Sequence, residues 1–134
     1  MIVETLLGRL GQKLHEELRS SERLMLAMNC DTGQALAVTN ERMIVIKGGM
    51  TTIFSTGTMA VSFPLDQIAQ LKAHRVGGHS VLEIQTPGRK PFEKGMKSYA
   101  LDNTLPFPAR KGMFGFDPVA QKIIDWMRAE HLWG

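Results

Sequence analysis

The sequence has few of the features that usually reveal a compartment or a covalent framework. Its 134 residues contain one cysteine, Cys30, which excludes an internal disulfide framework and a zinc site made of cysteines alone. No apolar run approaches the roughly 18 residues of a membrane-spanning helix. The N-terminus lacks a basic stretch followed by an apolar core, so we expect no cleaved secretory signal. These absences predict a soluble, cytoplasmic protein without a transmembrane segment.

Recognisable catalytic and cofactor motifs are also missing. The glycine pairs at 48–49 and 77–78 have the spacing of turns, not of a phosphate-binding loop, and Ser55 lacks the first glycine of a hydrolase elbow. His74 and His79 flank the second glycine pair and could approach each other, but no third metal ligand is evident nearby. We therefore predict a protein that is not an enzyme and holds no metal and no cofactor. An enzyme with an unrecognised site stays open as an alternative, ranked third after the two binding functions that are given below.

An apolar stripe occupies the N-terminal segment. Its members recur at spacings of three and four, which predicts an amphipathic helix over residues 2–19. The stripe consists of Val3, Leu6, Leu7, Leu10, Leu14 and Leu18. We treat residues 1–20 as this helix and residues 21–134 as the domain that follows. The stripe must be buried against its own domain or against another copy of the chain, so we predict that it mediates self-association.

The remainder of the chain has strand patterns followed by one clear helix. Short apolar runs alternate with polar turns, which predicts antiparallel strands. The predicted strands are 24–28, 35–38, 43–46, an irregular strand over 50–58, then 59–63, 68–76 and 80–86, with 97–101 as a candidate last strand. Asp117 and Pro118 are typical of a helix start, and helical spacing continues to about His131. The predicted fold class is α+β, mainly β, with about seven antiparallel strands.

The order of these signals resembles that of bacterial pleckstrin-homology-like (PH-like) domains, including short GRAM-related forms. The carriers are the strand SERLMLAMN, the hairpin ALAVTNERMIVIKGG with its Thr39-x-x-Arg42 turn, and the stretch VSFPLDQIAQLKAHRVGGHSVLEIQT. The resemblance implies a partly open barrel of antiparallel strands, capped by the C-terminal helix, and a non-enzymatic binding scaffold. Phosphoinositide-binding members carry basic residues around the first two strands, whereas residues 29–34 contain none. This departure from the family pattern argues against an inositol-phosphate site between the first two strands.

The excess positive charge is confined to residues 89–111, which carry a net +4 in a chain of net +3. Such a segment attracts anionic partners. Its basic residues are Arg89, Lys90, Lys94, Lys97, Arg110 and Lys111. We predict that they contact a protein partner; the alternative is peripheral binding to an anionic lipid or membrane surface. Aromatic residues at 92, 99 and 107 could stack on bases, but nucleic-acid binding is disfavoured because no recognised motif accompanies them.

Overall fold

The structure, a computed structural model, divides into a first unit of residues 1–64 and a second unit of residues 65–134. The residues that it describes are 2–6, 8–30, 33–48, 58–93, 95–97, 101–107 and 117–134. In order, these contain β1 (Ile2–Val3), α1 (Arg9–Glu17), β2 (Leu24–Asn29), β3 (Gln34–Thr39), β4 (Arg42–Lys47), β5 (Met59–Pro64), β6 (Gln70–Val76), β7 (His79–Gln85), β8 (Thr104–Phe107) and α2 (Val119–Ala129). The prediction of a mainly β chain with two helices is confirmed. The closure of the strands into a partly open barrel stays a prediction.

The first unit contains one sheet with the strand order β1-β2-β3-β4-β5. The pairs from β2 to β5 are antiparallel, as the polar turns of the sequence predict, and β1 pairs with β2 in parallel. Both β3 and β4 are buried along their whole length. The polar residues of these two strands therefore need partners inside the protein.

The N-terminal helix is shorter than the sequence predicts. It covers only Arg9–Glu17, and residues 2 and 3 form a strand instead. Both residues of this strand are β-branched, which favours extended backbone. Gly8 precedes α1 with a φ of 50° that does not fit a right-handed helix. The prediction of a helix is therefore wrong for residues 2–6 and for Gly8, while Leu7 lies outside the described residues.

Leucines of the predicted stripe lie in the core of the first unit. Leu6, Leu10 and Leu14 are buried, and Leu18 packs against the same cluster. In the same core cluster, the sheet contributes three small alanines and two isoleucines: Ala27, Ala35, Ala37, Ile44 and Ile46. In the register Ala27 is opposite Ala37, so the sheet surface leaves room for leucine side chains. This packing is the internal burial that the sequence allows as one of two outcomes.

The second unit contains one antiparallel sheet, ordered β6-β7-β8, and α2. The predicted two-residue turn joins β6 to β7: Val76 is opposite His79, and Gly77 has a φ of +60° that such a turn requires. Helix α2 packs on β6 and β7. Its buried face is Val119, Ala120, Ile123, Ile124 and Met127, as the helical spacing predicts. Its backbone also joins the sheet, since the Ala120 N–H donates to Ser80 Oγ at 2.9 Å.

The last strand and the helix start differ from the predictions. The last described strand is Thr104–Phe107, whereas neither Lys97 nor Leu101 is in a strand, and residues 98–100 lie outside the described residues. The sequence misses this strand because Pro106 reads as a loop signal; a proline is tolerated at a sheet edge, where β8 lies. The strand predicted over 50–58 lies almost entirely outside the described residues. Helix α2 begins at Val119, and Asp117 makes no side-chain cap.

Candidate binding site

The Thr39-x-x-Arg42 turn of the first unit is explained by a buried ion pair. Arg42 Nη2 and Nε donate to the two carboxylate oxygens of Glu22 at 2.7 and 2.9 Å. The side chains of Arg42 and Glu22 are 6% and 0% exposed. Arg42 also donates to Ser62 Oγ at 2.6 Å and to the Glu17 carbonyl at 2.5 Å. Thr39 donates from Oγ1 to Glu22 at 2.8 Å and accepts the Arg42 N–H at 3.1 Å.

This network keeps both ions charged. The hydrogen bond from Arg42 lowers the pKa of Glu22 from 4.5 to about 2, against the opposing effect of burial. The same bond raises the pKa of Arg42. A buried ion pair with every group hydrogen-bonded fastens α1, β4 and β5 at one point. We therefore assign the Thr39-x-x-Arg42 turn to the stability of the first unit.

A second buried carboxylate, Glu83 on β7, lies in the second unit. Its side chain is 1% exposed and accepts three hydrogen bonds: from His74 Nε2 at 2.8 Å, from Gln85 Nε2 at 2.9 Å and from the Phe92 N–H at 2.9 Å. Burial raises the pKa of Glu83, but these three bonds together outweigh it and leave the pKa lowered. The His74 ring also contacts the Phe92 ring, with 5.0 Å between centroids. Glu83 is therefore an acidic partner of His74 that is not evident from the sequence.

Phe92 links this buried carboxylate to a cavity of about 270 Å³ in the second unit. The cavity is lined by the segment that follows β7 and by the turn that leads into β8: Arg89, Lys90, Phe92, Met96, Leu101, Asp102 and Asn103. Asn103 is fixed to β7, because its side-chain amide donates to the Ile84 carbonyl at 3.0 Å and its own carbonyl accepts the Ile84 N–H at 2.9 Å. Two walls of the cavity are thus held by β7.

The two cations of the cavity differ in their partners. Arg89 forms a two-pronged ion pair with Asp102, one bond of which is 3.1 Å long, and donates to Thr86 Oγ1 at 3.2 Å. The exposed Lys90 has no hydrogen-bond or ion-pair partner within the described residues. Of the described cations that line the cavity, Lys90 therefore carries the uncompensated charge, while Arg89 acts mainly as a fixed wall.

The structure brings together two of the six predicted basic residues, Arg89 and Lys90. Lys97 is exposed and does not line the cavity. Lys94, Arg110 and Lys111 lie outside the described residues. The apolar lining was not predicted, because nothing in the sequence indicates that residues 101–103 return to the segment that follows β7.

The predicted self-association stripe is divided by the structure. Leu6, Leu10 and Leu14 are covered by their own unit, Val3 is 54% exposed, and Leu7 lies outside the described residues.

Within the described ranges, no three His, Cys, Asp or Glu side chains form a group that could hold a metal ion. In the same part of the chain, neither helix is long and apolar enough to cross a bilayer.

The comparisons with known proteins identify the fold. No protein-family model and no curated protein matches the sequence. A solved structure described as a DUF1696 family protein with a pleckstrin-homology domain, from Shewanella loihica, is 23% identical; the match covers 87% of this chain and 91% of that chain, with a TM-score of 0.51. A pleckstrin homology domain from Shewanella amazonensis is 17% identical, with coverages of 91% and 96% and a TM-score of 0.52.

Both solved structures are bacterial and both are described by the same domain type. The chain therefore has a PH-like fold, which confirms the resemblance that its strand order and turns predict. A fold of this kind identifies a scaffold and leaves the ligand to be argued from the residues of the site.

Proposed function

We propose that this chain is a non-enzymatic PH-like binding module of the cytoplasm that acts through protein–protein contact at the rim formed by Arg89 and Lys90. One observation carries the proposal. The exposed Lys90, which has no partner among the described residues, lines a partly apolar cavity in which Phe92 and Asn103 are hydrogen-bonded to β7. Charges are complementary across protein interfaces, and anchor side chains fill pockets, so a cation beside such a cavity favours an acidic segment of a partner protein.

The buried carboxylates support a binding role over catalysis. A general acid or base works best with a pKa near the operating pH. Glu22 and Glu83 both have lowered pKa values and are charged at neutral pH. Each is enclosed and saturated with hydrogen bonds from its own unit, so neither has room for a substrate proton. These carboxylates stabilise the scaffold.

The described part of the basic segment favours a protein over a lipid surface. Anionic membranes are usually recognised by clusters of roughly four to eight basic residues. Of the basic residues that the structure describes, two line the cavity, and Asp102 neutralises one of them. A single exposed charge next to a recess suits a defined chemical group better than a diffuse charged surface. Binding to anionic lipid is therefore the competing outcome of the test.

The test compares both ligand types on the full chain. The probes are a labelled glutamate-rich peptide, followed by fluorescence anisotropy, and phosphatidylcholine vesicles with and without phosphatidylglycerol, followed by flotation. We expect the peptide to bind with an affinity that falls as salt rises, and the two kinds of vesicle to retain the protein equally. Vesicle binding that requires phosphatidylglycerol, without peptide binding, would establish the lipid alternative. Binding to neither probe would refute the proposed surface.

Charge-matched variants make this test specific. Lys90→Gln removes the unpartnered charge at the cavity, and we expect it to weaken peptide binding about fivefold, the factor for losing one exposed ionic contact. Lys122→Gln removes the same charge from α2, where Lys122 is 66% exposed and paired with Asp117. This control variant should bind as the unmodified chain does. Equal weakening by both variants would mean that net charge alone attracts the peptide.

Self-association through the N-terminal stripe is a separate proposal. The exposed Val3 on the edge strand β1 supports it, whereas the burial of Leu6, Leu10 and Leu14 limits the stripe available to a second copy. Sedimentation of the full chain and of Val3→Glu tests it. An oligomer that Val3→Glu dissociates would support the proposal, and a monomer in both cases would refute it.

A further inference from the structure

The cavity at Arg89 and Lys90 is lined by both apolar and charged side chains. Phe92, Met96 and Leu101 supply the apolar part. Phe92 is 7% exposed, with its backbone bonded to Glu83 and its ring against His74. The aromatic wall is therefore held in place before any ligand arrives, which lowers the entropy cost of binding.

The size of the cavity limits what can enter it. Drug-sized ligands occupy pockets of about 300–1,000 Å³, and a dry cavity of about 150 Å³ is large enough for benzene. At about 270 Å³ this cavity lies between those limits. One aromatic or large aliphatic side chain fits, and a multi-ring cofactor does not.

The charges limit the polar group that accompanies this side chain. Arg89 is satisfied by Asp102 and Thr86, so recruiting it would require breaking an existing ion pair. Lys90 offers its ammonium without such a cost. A ligand carboxylate placed next to the apolar group would therefore lie against Lys90, the cavity cation that has no partner among the described residues.

We propose that the cavity takes one large apolar side chain flanked by a single carboxylate, as in an acidic–aromatic pair or an apolar C-terminal residue of a partner protein. This inference rests on the proposed function and narrows it from an acidic partner to a defined anchor. Phe92, Met96 and Leu101 receive the side chain, and Lys90 binds the carboxylate. Affinity for one anchor is weak, and the rest of the partner adds to it.

The experiment uses N-acetyl-L-phenylalanine as the probe, because it joins one aromatic side chain to one carboxylate. Its N-methylamide keeps the ring and lacks the charge, and sodium acetate keeps the charge and lacks the ring. Each is titrated into the full chain, and the NMR shifts of the Met96 methyl group and the Leu101 amide are followed. We expect saturable shifts with N-acetyl-L-phenylalanine, binding about fivefold weaker with the amide, and no saturable shift with acetate.

The Lys90→Gln variant should bind the acid and the amide equally, while Lys122→Gln should keep the preference for the acid. Because Lys90 is exposed, its replacement is not expected to unfold the chain. Equal binding of acid and amide by the unmodified chain would overturn the proposal, as would shifts outside the cavity or no shifts. If the glutamate-rich peptide binds and this probe does not, the anchor is refuted and the proposed function stands. If both fail, both are refuted.

Discussion

Replacement of Glu22 by glutamine is the sharpest test of how the first unit is held together. A pKa lowered from 4.5 to about 2 corresponds to about 3 kcal/mol of stability at neutral pH. Since the pKa is lowered on folding, this stability is present above pH 4.5 and is lost as the pH falls through about 2. Glutamine keeps the shape of the side chain but removes the charge and leaves Arg42 buried without its counter-ion.

We therefore expect Glu22→Gln to lower the free energy of unfolding by about 3 kcal/mol at neutral pH and by roughly 1.5 kcal/mol at about one pH unit above the folded-state pKa. Both tryptophans lie in the second unit, so amide hydrogen exchange of β3 and β4 is the suitable assay. Glu16→Gln is the matched control, because Glu16 is exposed and, within the described part of the chain, accepts only a long 3.5 Å bond from Gln12. An effect of Glu22→Gln no larger than that of the control, or independent of pH, would refute the reasoning.

Three further predictions concern single positions. Glu83→Gln should destabilise the second unit by about 2 kcal/mol and speed hydrogen exchange of the Phe92 amide, because charged hydrogen bonds are lost. Since the pKa of Glu83 is lowered on folding, this loss of stability should become smaller in acid. An unchanged exchange rate of the Phe92 amide would contradict the prediction. Leu14→Ala should cost about 2–5 kcal/mol, whereas Val3→Ser should change stability by less than about 0.5 kcal/mol; equal losses by denaturant unfolding would disprove the assigned core. Gly77→Ala should lower the free energy of unfolding by roughly 1 kcal/mol, because the φ of Gly77 is positive. Unfolding in urea followed by tryptophan fluorescence measures this loss, and an unchanged stability would contradict the described turn.

Local patterns predict the strands that are joined by short turns. The runs ending at Met28, Val38 and Ile46 are all strands in the structure, each extended by a residue or two of polar character. These extensions escape a hydrophobicity pattern because Gln34, Arg42 and Lys47 are polar yet buried. The helix over residues 119–129 is predicted correctly, because the apolar residues that recur at helical spacing are the ones that it buries.

The remaining features depend on contacts between distant residues. A leucine pattern at helical spacing continues through Val3, but strand pairing with β2 overrides it at residues 2 and 3. Glu22 is separated from Arg42 by 20 residues and Arg89 from Asp102 by 13, so neither pair is visible as a local motif. The basic segment is evident in the sequence, but its division into a satisfied Arg89 and an unpartnered Lys90 requires the fold.

The most direct measurement is an NMR map of amide shifts in the full chain as the glutamate-rich peptide is added. If the module binds an acidic partner at this rim, the largest shifts fall on Lys90, the Phe92 wall and the Leu101–Asn103 turn, and in Lys90→Gln they need about fivefold more peptide to reach half of their final size. Shifts concentrated on α2 or on the first unit, with the cavity residues unmoved, would contradict the account.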